Sequence, residues 1–382
     1  MKVLTILNSL DIGGVENTFM ECVPFLQKKN FKLFICVYKR KGIIEKDFQK
    51  LGVNVLGIKK TNSIILDFIQ VYFLIKKYNI NIVHSRFGFS SGGYIFASLF
   101  SRIPSIVSIH NTHPARRKNF FIRIIQSYSL FLHKVITINL ASKIVGHSKA
   151  NLTNNYLNWQ SKNKFRLIYN GINFSKMDTY KTEAYDEFRK KFNGKDVILH
   201  IGSFRNQKNH KFLLKAFSKL DPIVNNKVLI LIGDGPLKQN ILKLVKELKI
   251  ESNVIFTGNQ KGLGRYFDVS NILFFPSIHE GFGNVIIEAQ YMNIPVCGSD
   301  ILPLNESIYP DYNKYRFNPY NIEEAALKLK EIINDYNSGK FEKSKLEAAN
   351  FVKRNFAIEN MANKLIELYT EIQSKKIKTN ES

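Results

Sequence analysis

The sequence predicts an α/β protein built from two Rossmann-like, doubly wound domains. Three observations lead there. Short apolar strands alternate with longer helical stretches along the chain, the pattern of parallel β–α units. At roughly 150 residues per domain, 382 residues make two domains, each able to bury its own core. The composition, 45% hydrophobic and 23% charged, is that of a globular protein and excludes disordered and fibrous classes.

In the first domain, residues 1–172, strands are expected at 3–7, 33–37, 53–56, 82–84, 105–109 and 144–147. Helical stretches such as 16–29 and 66–78 lie between them. A short strand at 167–169 meets the turn Asn170-Gly171, and a polar linker follows over 173–193. The second domain, 194–356, repeats the pattern with strands at 197–201, 228–232, 254–257, 272–276 and 296–298. Its helices are expected at 210–220, 237–249 and 284–291. The tail reads as helical from 322 to 372, with 357–374 as a C-terminal helix and 375–382 as a disordered end. Ligands of such sheets bind outside the carboxyl ends of the strands, here expected to face across a cleft.

The formal charge of +25 is unevenly spread: residues 1–177 carry +20 and residues 178–382 only +5. No acidic residue lies between Asp67 and Asp178, while 15 Lys and Arg do. A Lys-rich coding bias accounts for the total but not for that acid-free third, which points to an anionic partner. The segment 115–134 sets Arg116, Arg117 and Lys118 beside an apolar helical run, which suits an acidic membrane surface and equally suits a core helix. No nucleic-acid-binding motif occurs, so nucleic acid is not the expected partner. Cys22, Cys36 and Cys297 have neither metal-ligand nor disulfide spacing, and no secretory or membrane-spanning run of about 18 apolar residues stands out. A cytoplasmic protein, at most peripheral to the membrane, is the expectation.

The densest chemical signal is PSIHEGFGNVIIEAQ, residues 276–290. A buried strand ends, a loop carries Glu280, Gly281 and Gly283, and a helix begins near Asn284 with Glu288 one turn on. Glycines let a ligand approach the backbone, and the free amides of a helix start favour an anion such as a diphosphate. Two carboxylates eight residues apart can bracket one ligand.

This stretch resembles the signature of the retaining glycosyltransferases of family 4, which have the GT-B fold. Other motifs resemble that family in order: LNSLDIGGVE (7–16), IHN (109–111), LIYNGIN (167–173), IGSFRNQKNH (201–210) and LIGDGPLK (231–238). The resemblance covers essentially the whole chain. It implies a GT-B fold, with C-terminal helices returning toward the N-terminal, acceptor-side domain. It also implies that Glu280 contacts donor-sugar hydroxyls and Glu288 the nucleotide ribose. Backbone groups of Gly281, Phe282, Gly283, Asn284 and Val285 would lie against sugar and diphosphate, with Gly13 and Gly14 opening the opposing turn. His110 corresponds to the family's active-site histidine, and Lys208 to its phosphate-neutralising lysine. The arginine usual after the glycine is replaced here by Ser203, and Arg205 is the candidate substitute.

The resemblance implies transfer of a sugar from a nucleoside-diphosphate donor, hexosyl or N-acetylhexosaminyl. The acceptor would be a glycan, lipid-linked, in capsule, O-antigen or exopolysaccharide assembly. No cofactor and no metal is expected: the leaving diphosphate can be stabilised by cations and helix amides, and the chain has no Asp-x-Asp pair. A nucleotide-sugar epimerase of the same fold and a non-catalytic membrane-associated scaffold are the alternatives. A dinucleotide oxidoreductase is disfavoured, since no G-x-G-x-x-G follows the first strand.

Overall fold

Alternate residues of β1 (Lys2–Ser9) supply two different cores, and this double use organises the first half of the protein. The computed structural model describes the backbone of every residue except 12–13, 40–41, 60, 62, 111–119, 157, 183, 221–225, 261 and 382. Side chains of 39, 120–127, 182 and 375–381 are also outside the description. The chain divides into two units: Met1–Gly171 with Ile358–Ser382, and Ile172–Ala357.

Unit 1 holds a seven-stranded parallel sheet in the order β3-β2-β1-β4-β5-β6-β7. Its remaining strands are β2 (Lys32–Lys39), β3 (Asn54–Gly57), β4 (Ile82–Ser85), β5 (Ser105–Ile109), β6 (Lys143–Gly146) and β7 (Phe165–Leu167). Val3 and Leu7 face one side, against Phe19, Val23 and Leu26 of the helix Gly14–Lys28. Leu4 and Ile6 face the other, with Val71, Ile75, Tyr94 and Ala97. A parallel sheet covered on both faces needs such apolar runs.

Unit 2 holds a five-stranded parallel sheet in the order β10-β9-β8-β11-β12. These are β8 (Asp196–Ile201), β9 (Lys227–Ile232), β10 (Val254–Gly258), β11 (Ile272–Phe275) and β12 (Val296–Gly298). In each sheet the strand order reverses once, between β1 and β4 in unit 1 and between β8 and β11 in unit 2. These are the places where doubly wound sheets take ligands.

The tail, expected to be helical over 322–372 with 357–374 as a C-terminal helix, is three helices: Ile322–Asn337, Glu342–Phe356 and Ile358–Glu381. Gly339, at φ +76°, breaks the first junction, and Ala357, extended at φ −63° and ψ 144°, breaks the second. The last helix belongs to unit 1, placing Ile358, Leu365 and Tyr369 in the core of Phe19 and Leu26. It also runs to Glu381, where a disordered end was expected over 375–382. Lysine, which fills positions 375, 376 and 378, is a good helix former. Residues 173–193, read as a linker, contain the helices Phe174–Thr182 and Asp186–Lys190. Among the described residues, no helix is long and apolar enough to cross a membrane.

Candidate active site

Unit 2 brings the two strongest sequence motifs together because β8 and β11 are neighbours. The loop after β8 passes through a short 3₁₀ turn, Asn206–Lys208, and the loop after β11 carries Glu280. Backbone and side chain join the loops. Ile278 donates its N–H to the Gln207 carbonyl at 2.9 Å, and Gln207 Nε2 donates to the His279 carbonyl at 2.7 Å. Between these ties Lys208 Nζ donates to Glu280 Oε1 at 2.6 Å, with both side chains largely withdrawn from solvent. The ammonium also lies 4.7 Å from the ring centre of Phe275. An ammonium has three N–H donors, so the contact with Glu280 leaves others to meet an anion.

Glycines let this edge close up. Gly233 has φ +138°, and a Cβ there would sit 2.1 Å from the Gly202 carbonyl oxygen, so only glycine fits. Gly283, at φ +89°, precedes the helix Asn284–Tyr291, where a Cβ would press on Leu304 at 2.7 Å. The first turn of that helix has amides without intrahelical partners, the partial positive end of its dipole. Phe282 is buried with its ring centre 5.2 Å from that of Phe356, so its ring belongs to the core. Gln290 locks the helix from behind, donating to the carbonyls of Ile286 and Ser307 and accepting from the Tyr309 N–H.

Not every predicted residue is gathered in. Glu288 is half-buried on the same helix, one turn beyond Asn284. Ser203 and Arg205 are both exposed. They share no strand face, because β8 ends at Ile201 and both lie in the loop beyond it. Gly14 is the first residue of an α-helix, with open space where a Cβ would stand. Gly13 and the basic triplet Arg116, Arg117 and Lys118 lie outside the described residues.

His110 belongs to unit 1, just past β5, and stacks on His147, just past β6, with ring centres 4.1 Å apart. Burial holds His110 well below the usual histidine range, and His147, Arg86 and His84 push it further down. His147 is pulled to about 3, first by burial and then by Arg86. Its Nδ1 meets the Ile168 carbonyl at 2.8 Å, so as a neutral ring it donates there and leaves Nε2 bare. His84 is fully engaged, with Nδ1 2.7 Å from the Tyr369 hydroxyl and Nε2 2.8 Å from Ser108 Oγ.

Sequence reading missed Arg86. It follows β4 directly, its N–H bonded to the Ile6 carbonyl at 3.1 Å across the reversal between β1 and β4. The side chain is 7% exposed and its guanidinium carbon sits 4.4 Å from the ring centre of Phe19. In unit 2, His200 and His210 were missed too. They pack edge to face at 4.7 Å, and burial plus the Lys208 charge lowers His210 to about 4.

Comparison with known proteins decides the family. The family described as "Glycosyltransferase Family 4" matches residues 12–176, and "Glycosyl transferases group 1" matches residues 181–370. The chain belongs to glycosyltransferase family 4. An uncharacterized glycosyltransferase of Methanocaldococcus jannaschii is 31% identical over 40% of this family 4 chain and 41% of its own length. The chain thus spans less than half of that relative. A second relative aligns over 78% of this chain and 80% of itself at 27% identity. It is the N-acetylgalactosamine-N,N'-diacetylbacillosaminyl-diphospho-undecaprenol 4-alpha-N-acetylgalactosaminyltransferase of Campylobacter jejuni. Among solved structures, Anabaena Alr3699/HepE in complex with UDP superposes with a TM-score of 0.81 at 18% identity. That match covers 97% of this chain and 100% of the other, and it establishes the GT-B fold of this family 4 glycosyltransferase.

Proposed function

We propose that this glycosyltransferase moves a sugar, with retention of configuration, from a nucleoside-diphosphate donor to a lipid-linked glycan in surface-polysaccharide assembly. The observation that carries the reading is the Lys208–Glu280 pair at the strand-order reversal of unit 2. A leaving diphosphate needs positive charge that is already in place. Lys208 and the first-turn amides of the helix Asn284–Tyr291 supply it without a metal. Glu280 accepts from the Lys208 ammonium at 2.6 Å. An arriving diphosphate displaces that contact, and the freed carboxylate accepts hydrogen bonds from sugar hydroxyls. Glu280 then acts in binding and not as a nucleophile, while Glu288 takes the ribose and His110 serves near the transferred sugar. The relative acting on a diphospho-undecaprenol-linked substrate supports an acceptor of that kind.

A lipid-linked acceptor requires access to a membrane, and unit 1 has a suitable face. Ile65, Ile69 and Phe73 recur every four residues on the helix Ile64–Tyr78 and are exposed, with Lys76 and Lys77 at its end. Phe100 of the adjoining helix packs on Phe68, and Phe131 is 61% exposed on the helix Phe120–Leu140. Apolar insertion and headgroup attraction add at such a surface. The face lies largely within the acid-free span, matching an anionic bilayer.

The test is a panel of nucleotide sugars, read by ligand-induced thermal shift and by transfer to an isoprenyl-diphosphate-linked sugar. The expected result is stabilisation by one nucleoside class and transfer with retained anomeric configuration. Transfer unimpaired in Glu280→Ala would overturn the site. Product formed without an acceptor would favour the epimerase.

A further inference from the structure

A buried guanidinium in unit 1 has no hydrogen-bond partner among the described residues. All three nitrogens of Arg86 are enclosed and without such a partner. Phe19 covers one face of the planar group, which leaves its in-plane donors without acceptors. Removing an ion from water without pairing it is among the costliest arrangements a fold can hold, so its retention here calls for a reason.

The chain supplies almost nothing to answer it. The segments following β4, β5 and β6 fall in the span from 68 to 177, which contains no Asp or Glu at all. The acid whose field reaches Arg86 from the helix Gly14–Lys28 is Glu16, itself half-buried. The surrounding rings are His84, His110 and His147. His84 is spent on Tyr369 and Ser108, but His147 Nε2 and both ring nitrogens of His110 are buried and have no hydrogen-bond partner among the described residues. A cation with free donors, beside two imidazoles with free nitrogens, sits at the point where the strand order of this sheet reverses.

We propose that Arg86 is the receptor for a phosphate-class oxyanion of a bound substrate, with His110 as its hydrogen-bonding neighbour. A guanidinium fork matches two oxygens of such a group at once, and the pairing is strong where water is excluded. Two substrates could carry the group: the acceptor's diphosphate or the donor's. The first source rests on the acceptor proposed above. The oxyanion site itself rests only on unit 1.

The experiment uses the full chain at constant ionic strength and measures thermal shift with inorganic pyrophosphate, geranyl diphosphate and UDP. The proteins are the wild type, Lys208→Met, Arg86→Met and Arg86→Lys. Pyrophosphate and geranyl diphosphate should stabilise the wild type and Lys208→Met alike. Their apparent affinity should fall at least tenfold in Arg86→Met and recover in part in Arg86→Lys. UDP should lose its effect in Lys208→Met and keep it in Arg86→Met. If instead UDP alone depends on Arg86, the site stands and the donor is its source. If Arg86 governs pyrophosphate while UDP never stabilises the wild type, the site stands and the donor reading fails. Equal responses of wild type and Arg86→Met to all three ligands overturn the proposal. So does a ligand-free Arg86→Met that melts several degrees below wild type, since an unpartnered cation replaced by an apolar side chain should not lower stability.

Discussion

Each sheet places a cation beside its strand-order reversal, beyond β8 in unit 2 and beyond β4 in unit 1, and the two treat it in opposite ways. In unit 2, Lys208 beyond β8 is answered within the chain by Glu280 beyond β11, at 2.6 Å. In unit 1, Arg86 beyond β4 lies among histidines held neutral by burial, with Glu16 as the acid in its field and no hydrogen-bond partner among the described residues. A self-paired cation gives a resting site that exchanges one partner for another when ligand arrives. An unpaired one makes the ligand itself the missing counter-ion. A doubly wound sheet thus fixes where a charge goes, while the loop composition decides whether the charge is neutralised before or after binding.

The largest effect should come from breaking the self-paired site. Glu280→Ala or Lys208→Met is expected to lower transfer by about 10²–10³-fold, the usual cost of losing a preorganised electrostatic contact. Initial rates with the donor identified by thermal shift check this, and far-UV circular dichroism should show the fold intact.

Next in size is the backbone under that site. Gly233→Ala forces a Cβ against the Gly202 carbonyl at φ +138°, and should cost about 3 kcal/mol. Urea unfolding measures it, and an unchanged midpoint would contradict the described loop contact.

Acid should act on both edges, and more on unit 1. His84, His110 and His147 there, and His200 and His210 in unit 2, are all held below the usual histidine range, first of all by burial. Folding them neutral is free only above the unfolded value near 6.5, because below it the unfolded chain binds protons that the folded one refuses. Stability is therefore complete above about pH 6.5 and falls as the pH drops toward the folded values. At pH 5 the loss is about 2 kcal/mol per histidine at most. The only tryptophan, Trp159, lies in unit 1, so its fluorescence should report unfolding at a higher pH than the helical signal of the whole chain.

The smallest effect on stability belongs to the exposed face. Phe73→Ser should change the unfolding free energy by less than about 0.5 kcal/mol, since it leaves no cavity. It should still weaken sedimentation with phosphatidylglycerol vesicles at low salt, and equal sedimentation would remove that face from the proposal.

The fold was legible because parallel strands covered on both faces are continuous apolar runs, such as those of β1, β8 and β11. Their ends shifted by only a residue or two. The tail was legible as helical over 322–372 with a C-terminal helix from 357, while the break at the left-handed Gly339, inside Ser338-Gly339-Lys340, was not placed. Glu280 and Lys208 were each visible from motifs 72 residues apart. Their contact was not, since it depends on β11 inserting beside β8. Arg86 carried no signal at all. One arginine after a strand is ordinary until its burial is known, and burial is a property of the packed sheet. The same holds for the histidines, whose burial, invisible in the sequence, holds them below the usual histidine range.

The helix Ile358–Glu381 has a consequence for the order of manufacture. A ribosome extrudes β1 to β7 first, then every residue of 172–357, and only afterwards the helix whose Leu365 and Tyr369 seal the first sheet. Unit 2 is contiguous and can fold while synthesis continues. The half begun first is finished last. Until that helix docks, Phe19 and Leu26 face water and His84 lacks its tyrosine, so the nascent first half depends on a segment not yet made.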